Sequence, residues 1–469
     1  MSEPGLADTA AAIRAGDITA EAAARAALER LESRGAALNA VAALTPDSAL
    51  EAARQVDRDR AAGRVAGPLA GVPMAHKDLF FRTGRRCDCG SRVLAGHVPG
   101  TTAAVLDRLD QASAVDLGTL HMAEIAMSPT GFNAHFGHAR NPWNPEHVPG
   151  GSSSGSGAAV AAGCIPGSLG TDTGGSVRHP AAACGLTGLK PTHGAVSLAG
   201  AMALSASLDT VGPLCRDARD AALLFDAVAG PDPADPTTSG APEPACLAAL
   251  DGRAAGAAIA RPRGYYDAEL EPEIAAALDD AAAVLAGLGA ELRETRLDDM
   301  DPVNACAHLT LACEASALHR AALRDRPGIF SEQVRARIAP GLAYPAAQYV
   351  ETLMRRGPIT RDWLAQALGD ADLALLPVFP VPVPSIAETT QGEAEHVAAV
   401  IARLTRNTRA INFLGLPAVA LPCGMSRSGL PIAMQLVGRP WAEPQLLRIA
   451  DAFQGATDWH LRRPPETHA

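Results

Sequence analysis

The stretch from Val148 to Thr171 contains no charged side chain and is dense in glycine, serine and alanine. Its core, residues 150–157, reads GGSSSGSG, and the alanine-rich tail at 158–162 suits a close-packed helix. Glycines permit backbone conformations that a Cβ forbids, so such a loop can bring backbone N–H groups onto a ligand. Glycine, serine and proline interrupt the stretch, which excludes a membrane span. The sequence here predicts a ligand-contacting loop followed by a close-packed helix.

Lysine is almost absent, since Lys77 and Lys190 are the only two lysines among 40 basic residues. Arginine keeps its proton in a protein, whereas a desolvated lysine amine can be neutral near pH 7 and act as a base. Residues 71–76 carry little charge and read as a buried strand end, where burial lowers the pKa of a lysine. On composition alone, arginine-rich coding explains the two lysines equally well.

A second glycine-rich run, 171–178 (TDTGGSVR), repeats the Gly-Gly-Ser pattern. Its serine, Ser176, lies 24 residues after Ser152 and 99 after Lys77. In this order and spacing, the three segments resemble the amidase signature family of serine hydrolases, and the resemblance covers most of the chain. Further blocks similar to that family follow in sequence order: NPWN (141–144), GLTGLKPT (185–192), SLDTVGP (207–213), GLPA (415–418) and GLPI (429–432).

The resemblance implies a catalytic triad in which Ser176 is the nucleophile, Ser152 the bridging serine and Lys77 the terminal base. Ser152 accepts the proton of Ser176 while giving its own to Lys77, and the reverse transfer protonates the leaving nitrogen. The resemblance also implies a cis peptide bond between Gly151 and Ser152. The residues expected to bind the oxyanion through backbone N–H groups, or to line the acyl pocket, are Thr173, Gly174, Gly175 and Ser176, and Met127 and Ser128.

The remaining charged residues near these motifs are predicted to have structural roles. Lys190 precedes Pro191 and should lie in extended backbone, where an ammonium group can bind carbonyls. Arg178 either grips a substrate carboxylate or supports the loop, and the supporting role is preferred. Hydrogen-bond partners rather than proton carriers are expected at His76, Asp78, Asp172 and His179.

Other enzyme classes fit the same letters less well. Residues 151–155 match the Gly-x-Ser-x-Gly nucleophile elbow, but the elbow needs a preceding strand, and three prolines between 142 and 149 argue against one. A phosphate loop lacks its Gly-Lys-Ser/Thr, and Val160 stands where a dinucleotide fingerprint needs glycine. The Ser-x-x-Lys signature of β-lactamases fails because no serine stands three residues before either lysine.

The predicted fold class is α/β, with a mixed central β-sheet surrounded by α-helices. The resemblance implies one compact domain over residues 1–469, with a signature core at about 70–215 and a more variable region at about 250–455 that completes the sheet and the substrate pocket. A β-α-β unit is legible as a strand at 257–260, a helix at 271–288 and a strand at 290–294.

Several further elements can be placed from periodicity and turn residues. Strands are expected at 373–376 and 419–421, with a hairpin return at 432–437 and a closing helix after Glu443. Near the N-terminus, Thr19 is expected to cap a helix that runs to about Ser33. The segment 230–244 is predicted to be a surface connection, and 377–384 a loop at the pocket rim.

Composition limits the partners and the compartment. The formal net charge of −11, with no basic run, argues against nucleic acid. The nine cysteines are odd in number, and the first residues lack the features of a secretion signal, so a cytoplasmic location is expected. Cys87 and Cys89 are the only close pair, too few for a zinc site, and neither metal nor cofactor is expected. The expected partner is a small-molecule amide or carbamate substrate, and no membrane association is expected. A homodimer is left open.

A free-standing hydrolase that cleaves the C–N bonds of small amides is the preferred function, and carbamates, aryl amides and esters are accessible by the same acyl-enzyme route. One alternative is the amidase (glutaminase) subunit of an aminoacyl-tRNA amidotransferase. Such proteins typically carry an aspartate seven residues before an Asn-Leu-Ala-Gly-Leu-Pro block, whereas this chain has Thr405 before 412–417. A catalytically silent binding subunit is disfavoured because all three catalytic side chains are present.

Overall fold

Two β-sheets organise the fold of the computed structural model, which describes residues 3–64 and 66–465. Strands such as the apolar run at 373–377 are buried along their whole length, as expected where both faces of a sheet are covered. The strands are β1 (Val41–Leu44), β2 (Pro73–Lys77), β3 (Val115–Leu120), β4 (Gly167–Asp172), β5 (Thr187–Lys190), β6 (Thr210–Cys215), β7 (Ala258–Gly264), β8 (Glu291–Leu297), β9 (Leu373–Pro377), β10 (Ala418–Met425) and β11 (Pro431–Gly438).

The larger sheet has eight strands in the order β4-β6-β5-β10-β11-β9-β7-β8, and the smaller has the order β1-β3-β2. In the larger sheet β7 pairs in parallel with β8 and β9, and all the other strand pairs of that sheet are antiparallel. In the smaller sheet β2 and β3 are parallel. The larger sheet is therefore mixed, as predicted.

Helices flank the larger sheet, which confirms the predicted α/β class. Contacts between elements from all parts of the described chain join them in one domain. The helices are α1 (Leu6–Ala15), α2 (Ala20–Arg30), α3 (Pro46–Ala61), α4 (Ala104–Gln111), α5 (Ser154–Ala161), α6 (Arg178–Cys184), α7 (Ala218–Val228), α8 (Pro272–Gly287), α9 (Asp301–Leu318), α10 (Arg320–Asp325), α11 (Glu332–Ile338), α12 (Ala346–Trp363), α13 (Ile386–Thr390), α14 (Ala394–Thr405), α15 (Arg409–Leu414) and α16 (Glu443–Gly455). None of the helices in the described ranges is long and apolar enough to cross a membrane.

The predicted β-α-β unit is present as β7, α8 and β8, with parallel pairing of the two strands. Proline begins α8 at its first position, where the missing N–H costs no hydrogen bond. The other predicted elements are also present: Thr19 caps α2 by accepting a hydrogen bond from Ala22 N, β10 and β11 form the antiparallel hairpin, and α16 begins at Glu443.

One loop prediction needs correction. Residues 230–244 are largely exposed, as expected of a surface connection. Residues 378–384 form a loop, as predicted, but they are mostly buried and do not lie at a rim, because Val378, Phe379 and Val383 pack into the apolar core. The proposed division into a signature core and a variable region stays a prediction.

Two strand ends meet where the candidate site lies. Ser168 on β4 donates a hydrogen bond to Ala75 O on β2, and Leu169 N donates to His76 Nδ1 at 3.0 Å. Burial lowers the pKa of His76 to about 4, so its imidazole is neutral and can accept this bond. These contacts bring the end of β2, with Lys77, beside the end of β4.

Candidate active site

Lys77 is fully buried, and its amine contacts two hydroxyl groups. Lys77 Nζ donates to Ser152 Oγ at 2.6 Å and to Thr171 Oγ1 at 2.9 Å. Burial lowers the pKa of Lys77 to about 7, although the charges of Asp209 and Asp172 act in the opposite direction. The amine therefore exchanges between its charged and neutral forms near neutral pH.

The Gly151–Ser152 peptide bond is cis, as predicted. The loop is held on both sides, because Gly151 N donates to Pro129 O at 2.7 Å and Ala123 N donates to Ser152 O at 3.1 Å. A Cβ on Gly151 would overlap the backbone nitrogen of Gly131, so only glycine fits this close approach. The packing fixes the backbone that presents Ser152 to Lys77.

Ser176 lies on the run that follows β4, and it opens on a cavity. Ser153 N donates to Ser176 O at 3.4 Å, which places the two serine loops side by side. Among the described residues, however, the Ser176 hydroxyl forms no hydrogen bond, so the predicted link from Ser152 to Ser176 is not closed. The structure thus joins Lys77 to Ser152 directly and sets Ser176 in the neighbouring loop; catalytic hydrogen bonds are often long before substrate binds.

The carboxylate of Asp172 shapes the loop around the predicted nucleophile. It accepts hydrogen bonds from Gly175 N at 2.7 Å, Val177 N at 3.2 Å and Arg178 N at 3.3 Å. Gly175 was expected to offer its N–H to an oxyanion; that expectation is wrong for this structure, because Asp172 occupies the group.

Three other backbone N–H groups of this loop remain available. In the part of the chain that the structure describes, the amides of Thr173, Gly174 and Ser176 have no hydrogen-bond acceptor. The Thr173 side chain is fixed by donating to Asp209 Oδ1 at 2.5 Å. These three amides can stabilise negative charge that develops on a carbonyl oxygen bound beside them.

Arg178 is fully buried and supports the loop, as the sequence favoured. Its Nε and Nη2 donate to the two oxygens of Asp172 at 3.1 and 3.0 Å. Nη1 donates to Gln435 Oε1 at 2.9 Å, and Nη2 also donates to Thr408 O and Asn412 Oδ1 at 3.0 and 2.7 Å. With these acceptors in place, the guanidinium is committed to the protein and does not face the cavity.

His179 holds the loop of Ser152 through hydrogen bonds and stacking. Its Nε2 is 2.8 Å from Thr408 Oγ1, its Nδ1 is 3.3 Å from Gly151 O, and its ring stacks on Phe379. Burial lowers the pKa of His179 to about 3, so the ring is neutral. These contacts match the predicted hydrogen-bond partner rather than a proton carrier.

A cavity of about 270 Å³ opens in front of Ser176. Met127 and Ser128, the residues expected to line an acyl pocket, lie in its wall, and residues of the 250–455 region also contribute to it. Besides these two residues and Ser176, the wall includes Thr173, Gly174, His179, Leu204, His308, Leu311, Ala312, Arg337, Ala398, Ile401, Ala402, Thr405 and Arg409.

Sequence reasoning missed Thr171, Arg337 and Arg409. Thr171 stood inside a motif that was quoted, but only the meeting of β2 with β4 shows that its hydroxyl reaches Lys77. The two arginines come from α11 and α15 and carry no motif signal in an arginine-rich chain. That Arg337 and Arg409 line the same cavity could not be predicted from the sequence.

Metal-ligating residues do not gather at this site. Within residues 3–64 and 66–465 no group of three or more His, Cys, Asp or Glu side chains is placed to hold a metal ion. Cys87 and Cys89 are buried, with sulfur atoms 3.8 Å apart.

A sequence model of the family described as Amidase matches residues 22–447. The fold and the match define the chain as an enzyme of the amidohydrolase class. It belongs to the amidase family, as its signature motifs predicted.

Among the most similar sequence relatives are glutamyl-tRNA(Gln) amidotransferase subunits, whereas the structural neighbours also include other amidases. The chain is 41% identical to a glutamyl-tRNA(Gln) amidotransferase subunit of Moorella thermoacetica, with 96% of this chain and 95% of that protein covered. It superposes with a TM-score of 0.89 and 33% identity on a chain of a vestigial protein complex connected with the origins of an s-triazine catabolic enzyme, covering 96% and 98%. The peptide amidase of Stenotrophomonas maltophilia superposes with a TM-score of 0.83 and 29% identity, covering 100% and 99%.

Proposed function

We propose that this chain hydrolyses the C–N bond of a small amide through an acyl-enzyme on Ser176, with Ser152 as proton relay and Lys77 as base. The observation that carries the proposal is the buried 2.6 Å hydrogen bond between Lys77 Nζ and Ser152 Oγ, beside the loop of Ser176. A lysine with a pKa of about 7 supplies the neutral amine that such a relay needs.

In the first half of the reaction, Ser176 Oγ attacks the substrate carbonyl carbon. Its proton passes to Ser152 while Ser152 gives its own proton to neutral Lys77. The oxyanion that forms is stabilised by the free backbone N–H groups of Thr173, Gly174 and Ser176. As the tetrahedral intermediate collapses, the proton returns through Ser152 to the nitrogen, and the C–N bond breaks.

In the second half, water attacks the ester of Ser176 and gives its proton to the same relay. The acyl–oxygen bond then breaks, and Ser176 is protonated again. Since nothing in these steps depends on an amine leaving group, carbamates, aryl amides and esters can enter the same route.

The test combines a covalent probe with variants. A small neutral fluorophosphonate should label Ser176 alone, and a panel of primary amides, anilides, carbamates and esters should include a substrate. Lys77→Met and Ser176→Ala should each lower amide turnover about 100-fold or more. Lys190→Met is the matched buried-lysine control. Full amide turnover in folded Lys77→Met would refute the mechanism, and folded protein that takes no label would support a silent binding role.

A second candidate is glutamine hydrolysis within an amidotransferase, and the sequence identity to the Moorella thermoacetica protein favours it. In that case the chain would serve an assembly acting on a tRNA, contrary to the expectation of no nucleic-acid partner. The cavity opposes this candidate, because Thr405 lies in its wall where the glutaminase proteins of this family typically carry an aspartate for the glutamine amine.

Glutamine distinguishes the two candidates directly. A free-standing small-amide hydrolase should release ammonia from a non-amino amide faster than from glutamine. Thr405→Asp should raise the relative rate on glutamine, because a carboxylate there offsets the positive charge of Arg409, which contacts Thr405, and can accept a hydrogen bond from the substrate ammonium. Faster hydrolysis of glutamine than of every other amide by the unmodified enzyme would favour the amidotransferase role.

A further inference from the structure

Two arginine side chains share the wall of the cavity in front of Ser176. Arg337 lies on α11, and Arg409 is the first residue of α15. Both are partly shielded from solvent, and they are close enough for Arg409 to add to the effect of burial, which lowers the pKa of Arg337 to about 10. Both guanidinium groups remain charged at neutral pH.

Neither guanidinium has a charged partner among residues 3–64 and 66–465. Within the described ranges Arg337 forms no hydrogen bond or ion pair, and Arg409 donates only to the hydroxyl of Thr405. Arg178, by contrast, binds both oxygens of Asp172. A guanidinium offers five N–H donors, and shielding it from water without a counter-charge is unfavourable. An anionic ligand would therefore be bound favourably by Arg337 and Arg409.

The cavity provides no carboxylate of its own. Among the described residues of its wall there is neither aspartate nor glutamate. Burial and the two arginines lower the pKa of His308, so its imidazole is mostly neutral at neutral pH. A ligand with an ammonium group would meet positive charge without a counter-ion, whereas a carboxylate would meet two free guanidinium groups.

The position of the arginines suits the part of a substrate that carries the reacting carbonyl. Arg409 packs beside the nucleophile loop, with its Cγ 3.7 Å from where a Cβ on Gly174 would lie. Leu311 and Ile401 supply apolar wall in the same cavity, and its volume of about 270 Å³ admits only a small molecule. This arrangement fits a short aliphatic chain with a carboxylate at one end.

Building on the proposed amide hydrolysis, we infer that the substrate is a monoamide of a short dicarboxylic acid without an ammonium group, whose carboxylate binds Arg337 and Arg409. Ser176 Oγ forms a bond to the amide carbonyl carbon as the C–N bond breaks, and ammonia leaves with the proton returned through Ser152. Water then cleaves the ester and releases the dicarboxylate.

Three matched amides test this inference. Glutaramate carries a carboxylate, glutaramide is its neutral counterpart, and glutamine adds an α-ammonium group to glutaramate. We expect kcat/KM for glutaramate to exceed that for glutaramide and for glutamine by about 10- to 100-fold, the effect of a charge-assisted hydrogen bond.

Variants locate the effect. Arg337→Gln and Arg409→Gln should each lower the ratio of kcat/KM for glutaramate to kcat/KM for glutaramide about 10- to 100-fold. Arg335→Gln, at an exposed position of the same helix, is the matched control and should change neither substrate. The rate of fluorophosphonate labelling at Ser176 reports whether each variant keeps an intact site.

A binding readout does not depend on turnover. Glutarate should slow fluorophosphonate labelling of Ser176 in the unmodified enzyme and have little effect in Arg337→Gln. Equal kcat/KM for glutaramate and glutaramide, preference for glutamine, or absence of protection by glutarate would each overturn the inference. Labelling without glutaramate preference contradicts only the anion site, whereas failure of Ser176 to label contradicts the proposed hydrolase itself.

Discussion

The two buried lysines differ in what their amines touch. Lys77 Nζ contacts the hydroxyls of Ser152 and Thr171, which can donate a hydrogen bond to a neutral amine. Lys190 Nζ donates to the carbonyl oxygen of Pro191 at 2.7 Å, an acceptor that needs the amine as donor. Burial lowers the pKa of each to about 7, yet only Lys77 has partners through which a proton can pass.

The pH profile of the reaction should follow Lys77. Because the neutral amine is the proposed base, kcat/KM for a neutral amide should rise with pH through an inflection at about 7 and then level off. Stopped assays of ammonia release over roughly pH 5 to 9 give the profile. Lys190→Met should keep the inflection; a profile without one in the unmodified enzyme would contradict the assignment.

At the scale of single residues, motifs that are local in the chain were more predictable than contacts. The resemblance predicted the cis bond between Gly151 and Ser152 and linked Lys77 to Ser152, and the structure has both features. The role of Thr171 and the engagement of the Gly175 amide were not predicted, since both depend on which groups a folded loop turns toward each other.

Among the structural elements, the turn between β4 and α6 depends on one ion pair. Burial alone would raise the pKa of Asp172, but the guanidinium of Arg178 and neighbouring donors hold it well below its usual range. The carboxylate therefore stays ionised, holds three backbone N–H groups and sets the shape of the loop with Ser176.

Asp172→Asn should lower the free energy of unfolding by about 3–5 kcal/mol, because it leaves the buried Arg178 without its counter-charge. The folded pKa of Asp172 is depressed, so its stabilising contribution is present above the unfolded pKa of about 3.9 and is lost as pH falls below it. Denaturant unfolding at neutral and acidic pH measures both effects.

Glu294→Gln is the control for that experiment. It removes an exposed ion pair with Arg263 and should cost less than about 1 kcal/mol. Equal losses in the two variants would show that the buried pair does not stabilise the fold.

In the molecule as a whole, segments that are far apart in the sequence pair in the sheet and bury one another. Element types were predictable where hydrophobic periodicity and turn residues were clear, as in β7, α8 and β8. The order of the eight strands was not, because β5 pairs with β10 from far along the chain and no local pattern records that pairing. The burial of the loop after β9 was not predicted for the same reason, since the residues that cover it are remote in sequence.

The N-terminal helix illustrates this long-range completion. Leu6 N and Ala7 N of α1 donate to the carboxylate of Asp220 on α7 at 2.7 and 2.8 Å, whereas α1 has no side-chain cap of its own. Asp220→Ala should cost about 0.5–2 kcal/mol, as loss of a cap does, and should speed hydrogen exchange over residues 6–15.

The exposed Asp8 provides a matched comparison on the same helix. Asp8→Ala should leave exchange over residues 6–15 almost unchanged. Similar acceleration in both variants would mean that Asp220 does not anchor α1.

The cavity wall is assembled from parts of the chain that are remote from one another. The nucleophile loop follows β4, while the two unpaired guanidinium groups come from α11 and α15, far along the chain. Substitutions in those later helices can therefore change the cavity wall without touching the contact between Lys77 and Ser152. Selection for a new substrate is expected to act first on these two helices, and the buried lysine and its serine partner can be inherited without change.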